Sequence, residues 1–380
     1  MSGAFAATRE PLLDSRTAAS RLRLRPFGLV SGAAAIAVCQ SGDGLALAGG
    51  PLAFTHGLIT GVDAPGRAQN DKELLTVPDM LRWATQAARD GDQGPAALIG
   101  RTAQPRSTFA NMVLSGAGAR PRIMGVCNVT PDSFSDGGDH AAPGPAIAFA
   151  QQLAGDGADI VDVGGESTRP GADPVAERVE IERVLPVIEE LVAHGLPVSI
   201  DTRRAGVMRA AIDAGVALIN DVSGLSDDPD ALDVVAASNV PVVLMHMQGQ
   251  PNNMQDDPSY ADVVQEVYDA LAGRIDACLD AGVAPERVAI DPGFGFGKTV
   301  AHNLELLTHL AQFHGLGCPI VVGLSRKSFI GALTGEEIPS ARTAGSVAAA
   351  LKALDQGVQI ARVHDVAETR QAFDVWRAIL

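Results

Sequence analysis

Eight short apolar runs recur along the chain from residue 122 onward, separated by polar loops and amphipathic helical segments. The runs read IMGVCN, ADIVDVGGE, PVSID, VALIND, VPVVLMH, RVAID, PIVVGLS and QIARVH. Runs that are rich in Val and Ile and lack strict alternation are typical of parallel strands buried on both faces. Eight strand–helix units in roughly 250 residues predict a (β/α)8 TIM barrel over residues 122–380. A doubly wound open sheet is the alternative, but it would more often carry a dinucleotide-binding glycine motif in its first unit.

The predicted helices end in a common way. The segments DGA at 156–158, DAGV at 213–216, DAGV at 280–283 and DQGV at 355–358 each place a glycine just before the next run. Glycine in this position adopts the left-handed conformation that stops a helix. These four segments therefore predict helix C-termini that lead directly into strands.

Each apolar run also ends in a polar residue. The eight residues are Asn128, Glu166, Asp201, Asn220, His246, Asp291, Ser325 and His364. In a barrel of parallel strands the carboxyl ends all meet at one mouth, where active sites are built. Any one of these residues alone is as well explained as a strand-end cap, but eight together favour a functional mouth.

Residues 1–121 differ from the rest and predict a small N-terminal α/β extension followed by a linker. The first 20 or so residues read as a mobile tail, and residues 23–62 contain apolar stretches broken by glycine, which predict short strands. Residues 77–90 (VPDMLRWATQAARD) predict a helix, whereas residues 91–121 are rich in Gly, Pro and Arg. The extension carries no chemical motif, so its function stays unknown.

The net charge of −16 and the pI near 4.8 argue against nucleic acid or an anionic membrane as the main partner. The four cysteines form no CxxC pair, which favours reduced thiols in the cytoplasm over a disulfide framework or a zinc site. The early apolar run at 29–39 is much shorter than the ~20 residues of a membrane-spanning helix. The acidic residues near the start do not resemble a secretory signal. We expect a soluble cytoplasmic protein.

The stretch DPGFGFGKT at 291–299 resembles a phosphate-binding loop, but its spacing excludes both common types. A Walker A loop requires a glycine at position 292, which is Pro292 here. The dinucleotide fingerprint G-x-G-x-x-G requires a glycine at position 298, which is Lys298. What remains is a glycine-rich loop directly after Asp291, and Lys298 receives no role.

Two long polar loops follow the first two runs, and both exceed the 2–6 residues usual for such loops. In NVTPDSFSDGG (128–138), Asn128 and Asp136 offer hard oxygen ligands of the kind that Mg²⁺ prefers; an Asx-rich surface turn is the alternative. In GGESTRPGADP (164–174), Thr168 and Arg169 are suited to binding an oxyanion; a loop with one exposed arginine is the alternative. We expect both loops to cover a substrate.

Three strand-end residues, Asp201, Asn220 and Asp291, suit a heterocycle that presents several N–H donors on one edge. Carboxylates accept such bonds, and an amide both donates and accepts. Guanine-like and pterin-like rings have this edge. Met245 offers a polarisable wall for a flat ring, or is plain barrel filling.

Positive charge gathers in SRKSF (325–329) and RVHD (362–365), which supply Arg326, Lys327, Arg362 and His364. Phosphate sites in barrels commonly lie at strands seven and eight, although Arg326 is as well explained as a surface residue. The sequence shows no Ser-His-Asp order and no Schiff-base signature. We therefore predict displacement of a phosphate leaving group, where charge stabilisation does most of the catalysis.

Taken in order, NVTPDSFSDGG, DVGGESTRPGA, SIDT, INDVSG, LMHMQG, DPGFGFGK, GLSRKSFIG and RVHDV resemble the dihydropteroate synthase family of the folate pathway. The resemblance covers about residues 122–380. It implies a (β/α)8 barrel, a homodimer, Mg²⁺, and small-molecule substrates. The implied reaction joins 6-hydroxymethyl-7,8-dihydropterin pyrophosphate to p-aminobenzoate and releases pyrophosphate and 7,8-dihydropteroate. Early cleavage of the C–O bond is implied as well, so no general base is needed.

The resemblance also implies roles for single residues. The implied pterin pocket comprises Asp201, Asn220, Met245, Asp291, Lys327 and Arg362. The pyrophosphate group falls to Arg169, Arg362 and His364, and its Mg²⁺ to Asn128. The p-aminobenzoate pocket, which is also the sulfonamide pocket, comprises Thr168, Pro170, Phe296, Lys327 and Ser328. The glycines of the 291–299 loop are expected to let Phe296 swing against the aryl ring. Asp136 assists the closed state, and the residues assigned to catalysis are Asp136, Lys327, Arg362 and His364.

Two other functions are compatible with a pterin pocket. A pterin-dependent methyltransferase shares the barrel but needs neither the cationic rim nor an aryl pocket. A non-catalytic paralogue would be expected to have broken first and second loops, and both loops are intact here.

Overall fold

The computed structural model describes residues 22–61, 72–106, 108–116, 118–130, 143–167 and 175–380. The N-terminal part contains strands β1 to β6 at Arg23–Phe27, Val30–Ser31, Leu45–Ala46, Leu52–Phe54, His56–Thr60 and Glu73–Thr76. Its helices α1 to α3 are Gly32–Ser41, Val77–Arg89 and Gly94–Ala103. The strands form two three-stranded antiparallel sheets, ordered β1-β5-β6 and β2-β4-β3.

The helix expected at 77–90 is confirmed as Val77–Arg89, with the Thr76 side chain capping its N-terminus. The short strands expected within residues 23–62 are confirmed as β1 to β5, whereas residues 32–41 form α1, because GAAAIAVCQS is rich in alanine, the strongest helix former. The supposed linker contains α3, whose glycines and proline lie in its first turn and middle.

The second part alternates strands and helices. Strands β7 to β14 are Arg122–Asn128, Ile160–Gly164, Val198–Asp201, Leu218–Asp221, Val242–Met245, Val288–Asp291, Val321–Val322 and Ile360–Val363. Helices α4 to α12 are Pro143–Gly155, Glu177–Ala193, Ala205–Asp213, Ala231–Ala237, Val263–Asp280, Val300–Thr308, Ser328–Thr334, Thr343–Leu354 and Val366–Ala378. Short 3-10 turns occupy Pro285–Arg287, Leu310–Leu316 and Pro339–Arg342.

These eight strands form one parallel sheet in the order β12-β11-β10-β9-β8-β7-β14-β13. The two edges of that sheet meet, because Ile290 and Ile320 form a parallel bridge and the Ile290 amide donates to the Pro319 carbonyl at 3.0 Å. The sheet is therefore closed, which confirms the TIM barrel and rules out the open doubly wound sheet.

The glycines expected to end helices do so. Gly157, Gly215, Gly282 and Gly357 have φ angles of +106°, +94°, +86° and +82°. Each lies in the left-handed region that a residue with a Cβ adopts only with strain. The chain reverses there and enters the next strand.

A segment between the two parts seals the bottom of the barrel. Phe109 and Met112 bridge each other in a tight turn, and Phe109 is 1% exposed. The turn packs against the lowest layer of the barrel interior, formed by Met124, Ile160, Leu218, Val243, Ala289, Val321 and Ile360. The N-terminal end of the barrel is thus filled by side chains that precede it in sequence.

Buried arginines join the N-terminal sheets to the barrel wall. The Arg23 guanidinium lies 4.4 Å from the centre of the Tyr268 ring. Arg101 Nε donates to the Gly315 carbonyl at 2.8 Å, and Arg106 Nη2 donates to the His314 carbonyl at 3.0 Å. Within the described ranges, no helix combines the length and apolar content needed to span a membrane.

Candidate active site

Strand register brings the polar strand-end residues into one row at the mouth of the barrel. Asn128 lies opposite Gly164, Gly164 opposite Asp201, and Asp201 opposite Asn220. Further round the barrel, Met245 lies opposite Asp291. Residues that are far apart in the chain therefore face one space.

Arg362 is the electrostatic centre of this space. Its Nε donates to Asp162 Oδ2 at 2.6 Å, and its Nη2 donates to Asp201 Oδ2 at 2.6 Å. Although burial opposes ionisation, Asp162 and Asp201 together raise the pKa of the Arg362 guanidinium. The guanidinium is consequently a permanent cation held in a fixed plane.

Asp162 was not among the predicted site residues, although it contacts several of them. It lies within the strand run IVDVG and is fully buried. Besides Arg362, it accepts from Asn220 Nδ2 at 3.1 Å and from Ser199 Oγ at 2.5 Å. The only sequence signal was a carboxylate inside an apolar run, which requires a partner because a buried charge is costly.

The pKa values of Asp201, Asp291 and Lys327 are displaced toward neutral pH. Burial raises the pKa of Asp201 to about 7, with Arg362 opposing and Asp162 adding to the shift. Burial also raises the pKa of Asp291, against the hydrogen bond from the Gly293 amide. For Lys327, burial and then Arg362 lower the pKa to about 8, while Asp291 opposes. Such opposed shifts in one cavity are typical of functional sites.

An apolar wall flanks these charges. Met245 and Phe296 pack with Val222 and Met254 in a small cluster at the mouth. Lys327 Nζ lies 4.1 Å from the centre of the Phe296 ring, which is cation–π distance. The aromatic wall and the ammonium group thus form one surface.

The DPGFGFGKT loop takes a path that requires two of its glycines. Gly293 and Gly297 have φ angles of +72° and +61°, and a Cβ on them would collide with the carbonyl oxygens of His246 and Gln248. The Gly293 amide donates to Asp291 Oδ1 at 2.7 Å, so the turn orients that carboxylate. Freedom for Phe296 to move against an aryl ring stays a prediction.

Lys298, which had no role from the sequence, fastens this loop to its neighbour. The side chain is 3% exposed, and Nζ lies 3.0 Å from the Phe296 carbonyl oxygen and 3.1 Å from His246 Nδ1. Burial lowers the pKa of Lys298 to about 7, and burial followed by Lys298 lowers that of His246 to about 3. His246 therefore acts as a neutral acceptor beneath the loop.

His364 is oriented by Ser325. The Ser325 hydroxyl accepts from the His364 backbone N–H at 3.2 Å and lies 3.0 Å from His364 Nδ1. The Ser325 hydroxyl can donate its own proton to Nδ1, and in that arrangement the neutral ring carries its proton on Nε2. Burial, Arg362 and Arg326 lower the pKa of His364 to about 3, so the ring is a neutral N–H donor at pH 7.

Two other polar residues at the mouth are engaged in ion pairs. Arg326, at φ +59°, donates from Nε to Asp365 Oδ2 at 3.1 Å. Glu166 pairs with Arg204 Nη2 at 2.8 Å and accepts from the Val175 amide at 2.9 Å. Glu166, which ends the second apolar run, therefore links the loop after β8 to the loop after β9.

The remaining predicted residues differ in what the structure says of them. Asp136, Thr168, Arg169 and Pro170 lie outside the described residues. Ser328 is exposed and begins α10 directly after Lys327. Asn128 is half-buried at the end of β7.

Asn128 presents its amide oxygen beside Gly164 and Asp201. A Cβ on Gly164 would lie 3.4 Å from Asn128 Oδ1 and 3.5 Å from Asp201 Cβ, so the glycine keeps the space between these side chains open. Amide oxygens suit Mg²⁺, which binds proteins through few ligands and takes the others from phosphate and water. The described residues contain no cluster of three or more His, Cys, Asp or Glu side chains that could hold a metal alone.

The fold and the site have counterparts in known proteins. The model of the pterin binding enzyme family matches residues 124–364, so the chain is a pterin-binding enzyme by family. A dihydropteroate synthase of Neisseria meningitidis serogroup C is 49% identical over 263 residues, which cover 68% of this chain and 93% of the relative.

Two solved structures from Xanthomonas albilineans are also similar to this chain. A dihydropteroate synthase with 4-aminobenzoic acid is 55% identical, with a TM-score of 0.65 and coverage of 68% of this chain and 93% of that one. A dihydropteroate synthase in complex with 7,8-dihydropteroate is 51% identical, with a TM-score of 0.62 and coverage of 68% and 94%. The chain belongs to the dihydropteroate synthase family.

Proposed function

We propose that the chain condenses 6-hydroxymethyl-7,8-dihydropterin pyrophosphate with p-aminobenzoate, as a transferase that releases pyrophosphate. The observation that carries this proposal is the pairing of two unlike surfaces at one mouth. Acceptor oxygens of Asp201, Asn220 and Asp291 form one of them, and the donors of Lys327, Arg362 and His364 form the other; the two meet where Arg362 Nη2 donates to Asp201 Oδ2 at 2.6 Å. A ring with N–H donors joined to an anionic leaving group matches both surfaces.

In this proposal the pterin ring lies between the buried carboxylates and the apolar wall. Asp201, Asn220 and Asp291 accept its N–H groups, since each has an oxygen at the barrel mouth. Met245 and the Arg362 plane bound its faces. Lys327 lies close enough to Asp291 to lower the pKa of that carboxyl, and therefore favours its ionised, accepting form.

The pyrophosphate group lies toward β13 and β14. Arg362 supplies permanent charge there, and His364 supplies an uncharged N–H from Nε2. Arg169 is proposed to bind the pyrophosphate as well, and Asp136 to assist the closed state. A bound Mg²⁺, held by Asn128, would neutralise charge on the leaving group.

The p-aminobenzoate is proposed to lie on the Phe296 and Lys327 surface, with Ser328, Thr168 and Pro170 bounding it. Sulfonamides would compete for the same surface. Cleavage of the pterin CH2–O bond sends its electron pair to the pyrophosphate, and the aniline nitrogen then forms the new C–N bond and loses a proton. The residues at the mouth stabilise charge and orient both partners, which suffices for this chemistry.

Pyrophosphate release by the purified chain tests this function. The reaction would contain the dihydropterin pyrophosphate, Mg²⁺ and p-aminobenzoate, with Lys327→Ala as the inactive variant and Lys352→Ala, on the outer helix α11, as a matched lysine control. We expect release that depends on p-aminobenzoate and falls at least 100-fold in Lys327→Ala only. Pterin binding without release would indicate a non-catalytic paralogue, and absence of pterin binding would overturn the site assignment.

We further propose a homodimer located in the cytoplasm. Cys39, Cys127, Cys278 and Cys318 are all free thiols, which is in keeping with a reducing compartment. Light scattering on the eluting protein would decide the assembly, since a monomer mass at micromolar concentration would contradict it.

A further inference from the structure

A buried network beneath the pocket involves a residue that touches no proposed substrate position. Asp162 on β8 is fully buried, yet three polar side chains converge on it. Oδ2 accepts from Arg362 Nε at 2.6 Å and from Asn220 Nδ2 at 3.1 Å, and Oδ1 accepts from Ser199 Oγ at 2.5 Å. The carboxylate is thus saturated from β9, β10 and β14.

The contact with Asn220 decides which way that amide points. An amide carries an acceptor oxygen and a donor nitrogen at nearly the same positions, and either can face a ligand. Asn220 Nδ2 donates to Asp162 Oδ2, so the NH2 group faces Asp162 and the amide oxygen is turned away from it. Asp162 therefore fixes the orientation of the Asn220 amide, which could otherwise present either its oxygen or its nitrogen to a ligand.

The neighbouring carboxylates of Asp201 and Asp291 also offer acceptor oxygens to a ligand. Asp201 uses Oδ2 for Arg362, and Asp291 uses Oδ1 for the Gly293 amide, so each retains its second oxygen. With Asn220 held by Asp162, the pocket presents acceptors at all three positions. A ligand edge made of N–H donors fits this set, and an edge with a carbonyl among the donors does not.

We propose that Asp162 is a positioning residue that sets the hydrogen-bond polarity of the pterin pocket by orienting the Asn220 amide and the Arg362 plane. The proposal rests on the proposed function for the identity of the ring. The proposal predicts selectivity between ligands, because a buried acceptor that faces another acceptor costs more free energy than the loss of a hydrogen bond. The pocket should thus reject a ring whose amino group is replaced by an oxygen.

Calorimetric binding of two probes tests this role. One is 6-hydroxymethylpterin, and the other is 6-hydroxymethyllumazine, in which a 2-oxo group replaces the 2-amino donor. We expect the wild type to prefer the pterin at least 100-fold. Asp162→Ala should lower that preference at least tenfold, because no acceptor then holds the Asn220 amide, which can turn over. The same variant should raise the KM for p-aminobenzoate less than threefold.

A second substitution restores the acceptor at position 220 without Asp162. In the double variant Asp162→Ala, Asn220→Asp, the net charge is unchanged, and a carboxylate at position 220 presents an acceptor in either orientation. We expect its pterin-to-lumazine ratio to return to within threefold of the wild type. Ser199→Ala, which removes a contact on the other carboxylate oxygen, should leave the ratio unchanged.

The outcomes are distinct. A wild type that binds no pterin refutes the proposed function, whereas pterin binding with an unaltered ratio in Asp162→Ala refutes the role of Asp162 alone. If thermal melting shows that Asp162→Ala does not fold, the double variant decides. A ratio near that of the wild type then supports the proposal, and a ratio at least tenfold lower overturns it.

Discussion

At the barrel mouth, ionisable residues such as Asp201 and Lys327 are buried or half-buried. The pKa of Asp201 is raised to about 7 and that of Lys327 is lowered to about 8, mainly through burial. Both groups are therefore ionised together only in a narrow range of pH. The burial of these residues therefore makes the charge of the pocket sensitive to pH near neutrality.

This leads to a pH dependence with a defined sign. Asp201 is protonated as pH falls below about 7, and Lys327 loses its proton as pH rises above about 8. We expect kcat/KM for the pterin substrate to peak between these values, because that parameter reports the free enzyme.

The variant Lys327→Arg tests the alkaline side. A guanidinium stays protonated throughout the accessible range, so the decline above pH 8 should move upward by at least one pH unit even if the maximum rate falls. The substrate's own ionisation is the same in both proteins and serves as the internal control. An unchanged alkaline limb would contradict the assignment to Lys327.

At the scale of elements, the glycine-rich loop after β12 is held rigidly in place. Tyr260 Oη donates to the Gly297 carbonyl at 2.9 Å, and the Gly295 amide donates to Asn303 Oδ1 at 2.7 Å. Together with Lys298, these contacts fix the backbone on both sides of Phe296. The loop therefore presents an aromatic wall in a set position.

Two glycine substitutions separate backbone strain from collision. Gly282 and Gly297 both have positive φ, but a Cβ on Gly282 meets nothing within 4 Å, whereas one on Gly297 collides with the Gln248 carbonyl. We expect Gly282→Ala to cost about 1 kcal/mol of unfolding free energy. Gly297→Ala should cost about 1–3 kcal/mol more and raise the KM for p-aminobenzoate.

Chemical denaturation and steady-state kinetics on the pair provide the check. Because both variants introduce the same strained alanine, the difference between them measures the collision. Equal loss of stability in the two variants would show that the loop shifts freely, and would also revive free movement of Phe296 as an explanation of its glycines.

On the scale of the whole molecule, one end of the barrel carries the proposed active site, and the other end is packed with apolar side chains. The mouth carries the charged network, whereas the opposite end is filled by Phe109 and the turn that precedes β7. Buried Arg101 and Arg106 attach the N-terminal sheets nearby, through carbonyl groups of Gly315 and His314. Stability and catalysis are therefore separable by position, as in other barrels.

Phe109→Ala tests that separation. Loss of a buried aromatic ring should lower the unfolding free energy by about 3–5 kcal/mol. Val113→Ala, in the same segment but 39% exposed, should change it by less than about 0.5 kcal/mol. Denaturant melts would measure stability, and kcat/KM should stay within threefold of the wild type. A large kinetic defect at permissive temperature would show that the two ends are coupled.

The amino-acid sequence by itself determined the barrel and the row of polar residues at its mouth. Strands buried on both faces need continuous apolar runs, and helix ends need left-handed glycines, so both are visible locally in residues such as Gly215 and Gly282. Parallel strands then bring their carboxyl ends together. The position of Asp201, Asn220 and Asp291 followed from that rule without knowledge of any contact.

Only the tertiary structure decided which side chains meet. Arg362 and Asp162 lie 200 positions apart and become neighbours because β14 pairs with β7, which pairs with β8. Tertiary packing also turned Glu166 into an ion pair between loops, gave Lys298 its acceptors, and filled the bottom of the barrel with Phe109. Local patterns record whether a residue is buried. They do not show which distant residue pairs with a buried charge, and that pairing decides where the site presents hydrogen-bond donors and acceptors.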